Sequence, residues 1–319
     1  MNESNPRTRL AVVAPFYNEA AHVSRFLDRV IAALVGTDLD WSIVCVNDGS
    51  SDDTLANLIA ARESEARIKV IDLSRNFGKE YALTAGLDHA IADAVVLMDS
   101  DLQHPPEMLP AMVAKWREGA EVVYMVREER VDAGLLNRIG RKVFYLIFRL
   151  AADIRLPPEA GDFRLLDAAV VAAIRRLPER TRFMKGIYQW VGFRQVGLSY
   201  QEEVRATGKT KRDPWRLIAF ALDGISAFSN LPLQLWSLLG AVIAGISLIY
   251  GASRILRTFL YGVDVPGYES LIVAILFLGG VQLLSLGVLG GYIGRIFNEV
   301  KARPLYIVRH TYGLDEKKE

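Results

Sequence analysis

Short apolar runs alternate with amphipathic stretches along the first 130 or so residues. Leu10–Ala14, Ser42–Val46, Ile68–Leu73, Ala94–Met98 and Glu121–Val126 read as strands, since each is brief and apolar-rich and turn residues lie between them. Between them the apolar positions follow a helical period. From Glu19 to Leu34 they are Val23, Phe26, Leu27, Val30, Ile31 and Leu34, and Asn18 is placed to cap that helix. Ser50–Thr54 (SSDDT) opens a second helix with Leu55, Leu58 and Ile59 on one face. Gly78–Ile91 forms a third, and a proline-started helix follows from Pro106. The alternation predicts an α/β fold, a mostly parallel sheet with helices on both faces. Ligands of such sheets sit beyond the carboxyl ends of the strands. The segments to read for chemistry are therefore APFYNE, NDGSSDDT, SRNFGKE and DSDLQHPPE.

The pattern changes near the C-terminus. Leu231–Ser253 and Ser270–Gly294 carry no charge. Each is long enough to cross about 30 Å of hydrocarbon as a helix. Buried core helices usually show a polar stripe, so these read as a two-helix transmembrane hairpin over 231–294. Gly240, Gly245, Gly279, Gly280, Gly287, Gly290 and Gly291 suit close packing in lipid and make a homo-oligomer an expectation. Lys209, Lys211, Arg212 and Arg216 precede the hairpin, and Arg295, Lys301, Arg303 and Arg309 follow it. The connection Arg254–Glu269 holds only Arg254 and Arg257 as positive charges. The excess outside the hairpin places both termini in the cytoplasm. The expected organisation is a cytoplasmic domain over 1–212, a juxtamembrane segment over 213–230, the hairpin, and a cytoplasmic tail over 295–319.

The hydrophobic share of 51%, high for a soluble enzyme, is explained by that hairpin. Net charge of +1 argues neither for nor against nucleic acid, and none is expected as a partner. No secretory leader is expected at MNESNPRTRL. A single cysteine, Cys45, excludes a disulfide framework and fits a reducing compartment. The four histidines are scattered, without zinc-ligand spacing. No GxGxxG or GxxxxGK[ST] occurs, which argues against a dinucleotide site or a P-loop.

Asp99 and Asp101 alternate at the end of an apolar strand, and in an extended chain they point the same way. Two carboxylates held that close need compensating positive charge. Mg²⁺ or Mn²⁺ supplies it, since hard cations bridge one or two carboxylates to substrate phosphates. The strand end thus reads as a clamp for a metal–diphosphate. Taken alone, D-x-D also fits a solvated, acid-rich turn before a helix.

PFYNE, VNDGSSDDT, RNFGK and DSDLQHPPE, in this order and spacing, resemble the family 2 glycosyltransferases of GT-A, Rossmann-like fold. The nearest likeness is to the dolichyl-phosphate mannose synthase-like branch, whose bacterial members glycosylate undecaprenyl phosphate. It covers Leu10 to about Lys211, and a two-span tail is typical of a subgroup. The resemblance implies that Pro15, Tyr17 and Glu19 form the first nucleotide-contacting loop and that Asp48 reads the base. It implies that Asp99 and Asp101 lie at the donor diphosphate, with Asp101 the direct metal ligand and Gln103 close by. Pro15 and Tyr17 also suit a simple turn, Asp48 a helix-capping turn, and Lys79 either the donor or solvent. Arg127 and Arg138 fit the arginines that surround an acceptor phosphate, a role that suits a bidentate guanidinium. Arg205 and Lys211 are further candidates, or else anchors for anionic lipid heads. Asp162 is a candidate general base or a positioning group.

Arg138–Leu150, within a helix expected over about 137–152, puts Arg138, Arg141, Lys142, Tyr145 and Arg149 on one face and apolar residues on the other. A helix of that kind lies in a membrane interface, or packs on a core with a solvated cationic face. The implied activity is metal-dependent, inverting transfer of a sugar from a nucleotide sugar, UDP-glucose first, to a polyisoprenyl phosphate. The implied site of action is the cytoplasmic face of the bacterial inner membrane, in cell-envelope glycan modification. The alternatives are a GDP-mannose-using mannosyltransferase, or a catalytically weak scaffold or flippase partner that kept the fold. All the acidic motif residues are present, which argues against the scaffold.

Overall fold

A computed structural model describes residues 8–127, 160–200, 231–262 and 267–314. Eight strands form one sheet: β1 (Arg9–Phe16), β2 (Asp40–Asn47), β3 (Ile68–Leu73), β4 (Ala94–Leu97), β5 (Val122–Arg127), β6 (Ala160–Asp167), β7 (Gln195–Tyr200) and β8 (Val308–Tyr312). Their order is β7-β5-β6-β4-β1-β2-β3-β8. β1 pairs in parallel with β2 and β4, β2 with β3, and β5 with β7. β6 runs antiparallel between β4 and β5, and β8 runs antiparallel along β3. The predicted mostly parallel α/β sheet is the one observed. The chain leaves β1 toward β2 and β3, then returns to place β4 on the other side of β1, so a crevice opens at that reversal.

Strand alternation divides the core into two layers. On one face Leu10, Val12, Ala14 and Phe16 pack with Phe26, Leu27 and Val30 of α1 (Val23–Leu34) and with Met112 of α4 (Leu109–Arg117). α2 (Thr54–Ser64) adds Leu58 to that layer. On the other face Ala11 and Val13 meet Leu83 and Leu87 of α3 (Lys79–His89) and Val170 of α5 (Ala168–Arg175). A Cβ on Gly86 of α3 would lie 2.2 Å from Val13 Cγ1, so the helix packs closer than a side chain permits. A short helix, α6 (Met184–Trp190), covers β6.

Several boundaries differ from the sequence expectation. α1 begins at Val23, with His22 as its N-cap. Asn18 instead takes a left-handed φ of 54°, donates its N–H to Ser50 Oγ at 3.0 Å and accepts from the Ser51 N–H at 2.8 Å. Asn and Asp tolerate that conformation because their short polar side chains bond locally. Asp53, the N-cap of α2, makes no side-chain cap bond. Asp52 takes over, accepting from the Thr54 N–H and from Ala20 of the neighbouring loop. Pro106 opens a 3₁₀ turn (Pro106–Met108) rather than α4 itself.

The uncharged C-terminal segments lie within two long helices, α7 (Leu231–Tyr261) and α8 (Tyr268–Lys301). Arg254 and Arg257 belong to α7 and not to the connection. Among the described residues Phe277–Lys301, with mean hydropathy 1.5, is long and apolar enough to cross a membrane, and its apolar stretch is not buried within the protein. The segment expected as a plain tail returns to the sheet as β8. The amphipathic stretch around 137–152, with Arg138, and the segment holding Arg205, Lys211 and 213–230 lie outside the described residues.

Candidate active site

The loops after β1, β2, β3 and β4 converge on one cavity of about 390 Å³, lined by Pro15, Tyr17, Glu19, Asp48, Asn76, Gly78, Lys79, Asp99, Ser100 and Asp101, with Phe16 at its wall. Its size is in the range that holds a small molecule. Seven of these positions were singled out from the sequence: Pro15, Tyr17, Glu19, Asp48, Lys79, Asp99 and Asp101. Phe16, Asn76, Gly78 and Ser100 were not.

The aspartate pair does not sit on an extended strand. β4 ends at Leu97, and Ser100 and Asp101 form a turn. The Ser100 hydroxyl donates to the Pro15 carbonyl at 2.8 Å, which pins the turn to the end of β1. Asp101 Oδ1 accepts from the Gln103 N–H at 3.1 Å, and Leu102 between them has a left-handed φ of 61°. That conformation is strained for a leucine, and such strain gathers at functional turns. Gln103 itself lies outside the lining of the cavity.

His104, one of four histidines scattered along the sequence, is a buried strut. Its Nδ1 accepts the Asp99 N–H at 3.3 Å. Its ring stacks on Phe163 at 5.1 Å and meets Tyr200 edge-on at 6.2 Å. Burial lowers its pKa, against the pull of Asp99 and Asp101, so the ring is neutral with its proton on Nε2. The sequence signal was its place five residues after Asp99 on a turn that must close.

Lys79 supplies positive charge to one member of the pair, Asp99, and to Asp162 rather than to Asp101. Its Nζ lies 2.7 Å from Asp99 Oδ1 and 2.6 Å from Asp162 Oδ2. Burial works against the ammonium, but the Asp162 and Asp99 carboxylates outweigh it and raise its pKa. Asp162, on β6, lies behind Lys79 and is buried. Burial would raise its pKa, but Lys79, then Lys185 and Arg164, hold it below the usual carboxylate value. Among the described residues Asp162 Oδ1, Arg164 Nη1 and the Tyr188 hydroxyl have no hydrogen-bond partner. Glu80 beside them is pushed up to about 7, first by burial and then by Asp162, and its Oε2 accepts from the Met184 N–H at 3.3 Å.

Asp48 is buried, and each of its oxygens accepts a backbone N–H, from Phe77 at 2.7 Å and from Gly78 at 2.9 Å. The loop after β3 is thereby wrapped around the loop after β2. Gly49, at φ 62°, makes the approach possible, since a Cβ there would lie 2.2 Å from the Arg75 carbonyl carbon. Arg127 closes β5, in register with Tyr200, the residue that touches His104.

The donor set fits a divalent cation that is completed by a substrate. Asp99 and Asp101 bring carboxylate oxygens to one cavity. Among the described residues no group of three or more His, Cys, Asp or Glu forms a closed cage. Mg²⁺ and Mn²⁺ sites that share their ion with phosphates have that composition.

Residues 11–175 match the description "Glycosyl transferase family 2". An uncharacterized glycosyltransferase of Synechocystis is 50% identical over 306 residues, 96% of each chain. The SfII prophage-derived bactoprenol glucosyl transferase of Shigella flexneri is 42% identical over 304 residues, 95% of this chain and 98% of that one. Among solved structures, mannosyl-3-phosphoglycerate synthase from Rubrobacter xylanophilus covers 69% of this chain and 73% of its own, with a TM-score of 0.50 and 18% identity, a likeness of fold alone. On the match over 11–175 and the relatives that align nearly end to end, the chain belongs to glycosyl transferase family 2 and is a glycosyltransferase.

Proposed function

We propose that this enzyme transfers a hexose, glucose from UDP-glucose first, to a polyisoprenyl phosphate such as undecaprenyl phosphate. The observation that carries the reading is the cavity where four strand-end loops gather Asp48, Lys79, Asp99 and Asp101. It is supported by the printed name of the Shigella relative, a bactoprenol glucosyl transferase.

Asp48, with Pro15, Tyr17 and Glu19, faces the nucleoside. Asp99 and Asp101, with Gln103 near them, would hold Mg²⁺ or Mn²⁺. Such an ion, when bound, offsets negative charge on the leaving diphosphate. An acceptor phosphate oxygen attacks the anomeric carbon as the bond from that carbon to the diphosphate oxygen breaks, and the nucleoside diphosphate leaves with the electron pair. One displacement inverts the centre. A phosphate monoester has its second pKa near 6 and is mostly dianionic at neutral pH, so no base is required. Asp162 suits positioning better than proton transfer, because Lys79 occupies one oxygen and keeps its pKa low. Arg127, Arg138, Arg205 and Lys211 are assigned to the acceptor phosphate. Alignment and electrostatics supply the rate.

The acceptor is a lipid, and α7 and α8 are assigned to the membrane as two spans. Leu238, Ile246, Ile249 and Phe259 of α7 and Leu283 and Phe297 of α8 are exposed, more apolar surface than water tolerates on a soluble protein. Topology supports an even number of crossings. β1 to β7 precede the helices, β8 follows them, and all belong to one sheet. Both ends of the helical pair therefore reach the same side, which the charge pattern makes cytoplasmic.

Membranes containing the enzyme, incubated with radiolabelled nucleotide sugars and undecaprenyl phosphate, should move label from UDP-glucose into the organic phase. Asp101→Asn should abolish this while leaving a folded protein. Failure of every donor to label lipid would refute the reading. Near-normal turnover of Asp101→Asn with Mg²⁺ or Mn²⁺ present would refute the metal assignment.

A further inference from the structure

We infer that Arg309, on the strand that follows the membrane helices, is a positioning residue for the donor loops, and that β8 clamps them from behind. Arg309 works along two arms. Its Nη2 donates to the Ser74 carbonyl at 2.6 Å, and the Ser74 N–H donates to the Ile307 carbonyl at 2.9 Å. Both backbone groups of the first residue after β3 are thus held by the C-terminal segment. The β3–β8 ladder shifts register between Asp72 and Leu73, a bulge that re-aims the chain where it leaves the sheet. The next residues reach the cavity, and Phe77 and Gly78 give their N–H groups to Asp48.

The second arm runs inward. Arg309 Nη1 is 3.8 Å from the buried Asp72 carboxylate. Asp72 Oδ1 accepts from Asn47 Nδ2 at 2.7 Å, and Asn47 Oδ1 accepts from the Ser50 N–H at 3.3 Å. Ser50 Oγ in turn accepts the Asn18 N–H at 3.0 Å. Loops after β1, β2 and β3 therefore lean on one guanidinium outside the cavity, on a strand joined to α8 by six residues of chain, 302–307. Removing it takes the positive neighbour from the buried Asp72 carboxylate and leaves the Asn47 amide as its side-chain partner among the described residues, which costs order in the groups around it.

The consequence for nucleotide binding rests on the function proposed above, and the consequence for loop order does not. Hydrogen exchange of the whole chain in detergent, without nucleotide, compares the wild type with Arg309→Ala and Arg309→Lys. The amides of Phe77, Gly78 and Ser50 should lose protection by about tenfold in Arg309→Ala, a usual size for coupling between separated sites. Those of β1 and β4 should not change, and Arg309→Lys should be intermediate. Tyr306→Phe, which removes the 2.8 Å bond to Asp88 on α3, should leave the three loop amides as in the wild type. Unchanged loop protection in Arg309→Ala, or equal loosening in Tyr306→Phe, overturns the clamp. If Arg309→Ala does not fold, Arg309→Gln, which keeps a donor for Ser74 but no charge for Asp72, decides in the same way. Calorimetry with UDP forms the second arm, with Kd rising about tenfold in Arg309→Ala. A wild type that binds no UDP strikes the donor reading, and the exchange result still decides the clamp.

Discussion

Replacing Lys79 with methionine keeps a long apolar stem and removes the charge that two carboxylates share. Asp162 then loses the partner of Oδ2, 2.6 Å away, while its Oδ1 has none among the described residues. Breaking a fully buried pair from one side costs about 3–5 kcal/mol. The Lys79 side chain is 41% exposed, so water screens it, and the discounted loss is about 2–3 kcal/mol at pH 7.5. Thermal unfolding in detergent, followed by tryptophan fluorescence, should show a Tm lower by about 5–10 °C. The loss should depend on pH in a definite sense. In the wild type the Asp162 pKa is depressed, so its contribution is present above the ordinary aspartate range and is lost as pH falls through the folded value. In the variant burial is the largest remaining influence and raises that pKa. The carboxyl then takes up a proton at a higher pH than in the wild type, and the penalty fades as pH is lowered. The gap between wild type and variant should therefore narrow from pH 7.5 to pH 5. Lys79→Met/Asp162→Asn should be more stable than Lys79→Met alone. A gap that stays constant with pH, together with a double variant worse than the single, would refute the coupling.

Three further outcomes are expected. Tyr188→Phe removes a buried hydroxyl that has no hydrogen-bond partner among the described residues, so stability should change by less than about 1 kcal/mol, and a loss above about 2 kcal/mol in denaturant unfolding would reveal a missed hydrogen bond. Gly49→Ala meets both a positive φ and the Arg75 backbone; it should cost about 3 kcal/mol and most UDP affinity, and calorimetry showing wild-type binding would contradict the packing. His104→Ala removes the acceptor for the Asp99 N–H and the stack on Phe163; kcat should fall about 10²-fold in a folded protein, and an unchanged kcat would show that the turn holds itself.

The sheet was legible because β1 to β4 are buried on both faces, which writes them as apolar runs. β8 was not, since VRHTY has an edge strand's mixed exposure and pairs with β3 across more than 230 residues. Asn18 looked like a cap because its residue type suits one, and only the folded loops reveal that its partners are Ser50 and Ser51. The cavity was readable from four polar segments at strand ends. The Lys79–Asp162 pair was not, because it joins positions 83 residues apart with no periodic signal. The same holds for His104, whose isolation in the chain concealed its contacts with Phe163 and Tyr200.

The position of β8 also fixes the order in which the protein can be completed during synthesis. Seven strands emerge from the ribosome before α7, while the strand that seals β3 emerges only after α8. Until then β3 presents a row of unpaired N–H and C=O groups, a template for wrong pairing with another nascent chain. Delay at the helical pair would prolong that exposure. Mutations that slow the folding of α7 and α8 should thus show themselves as aggregation through β3, although they lie far from it.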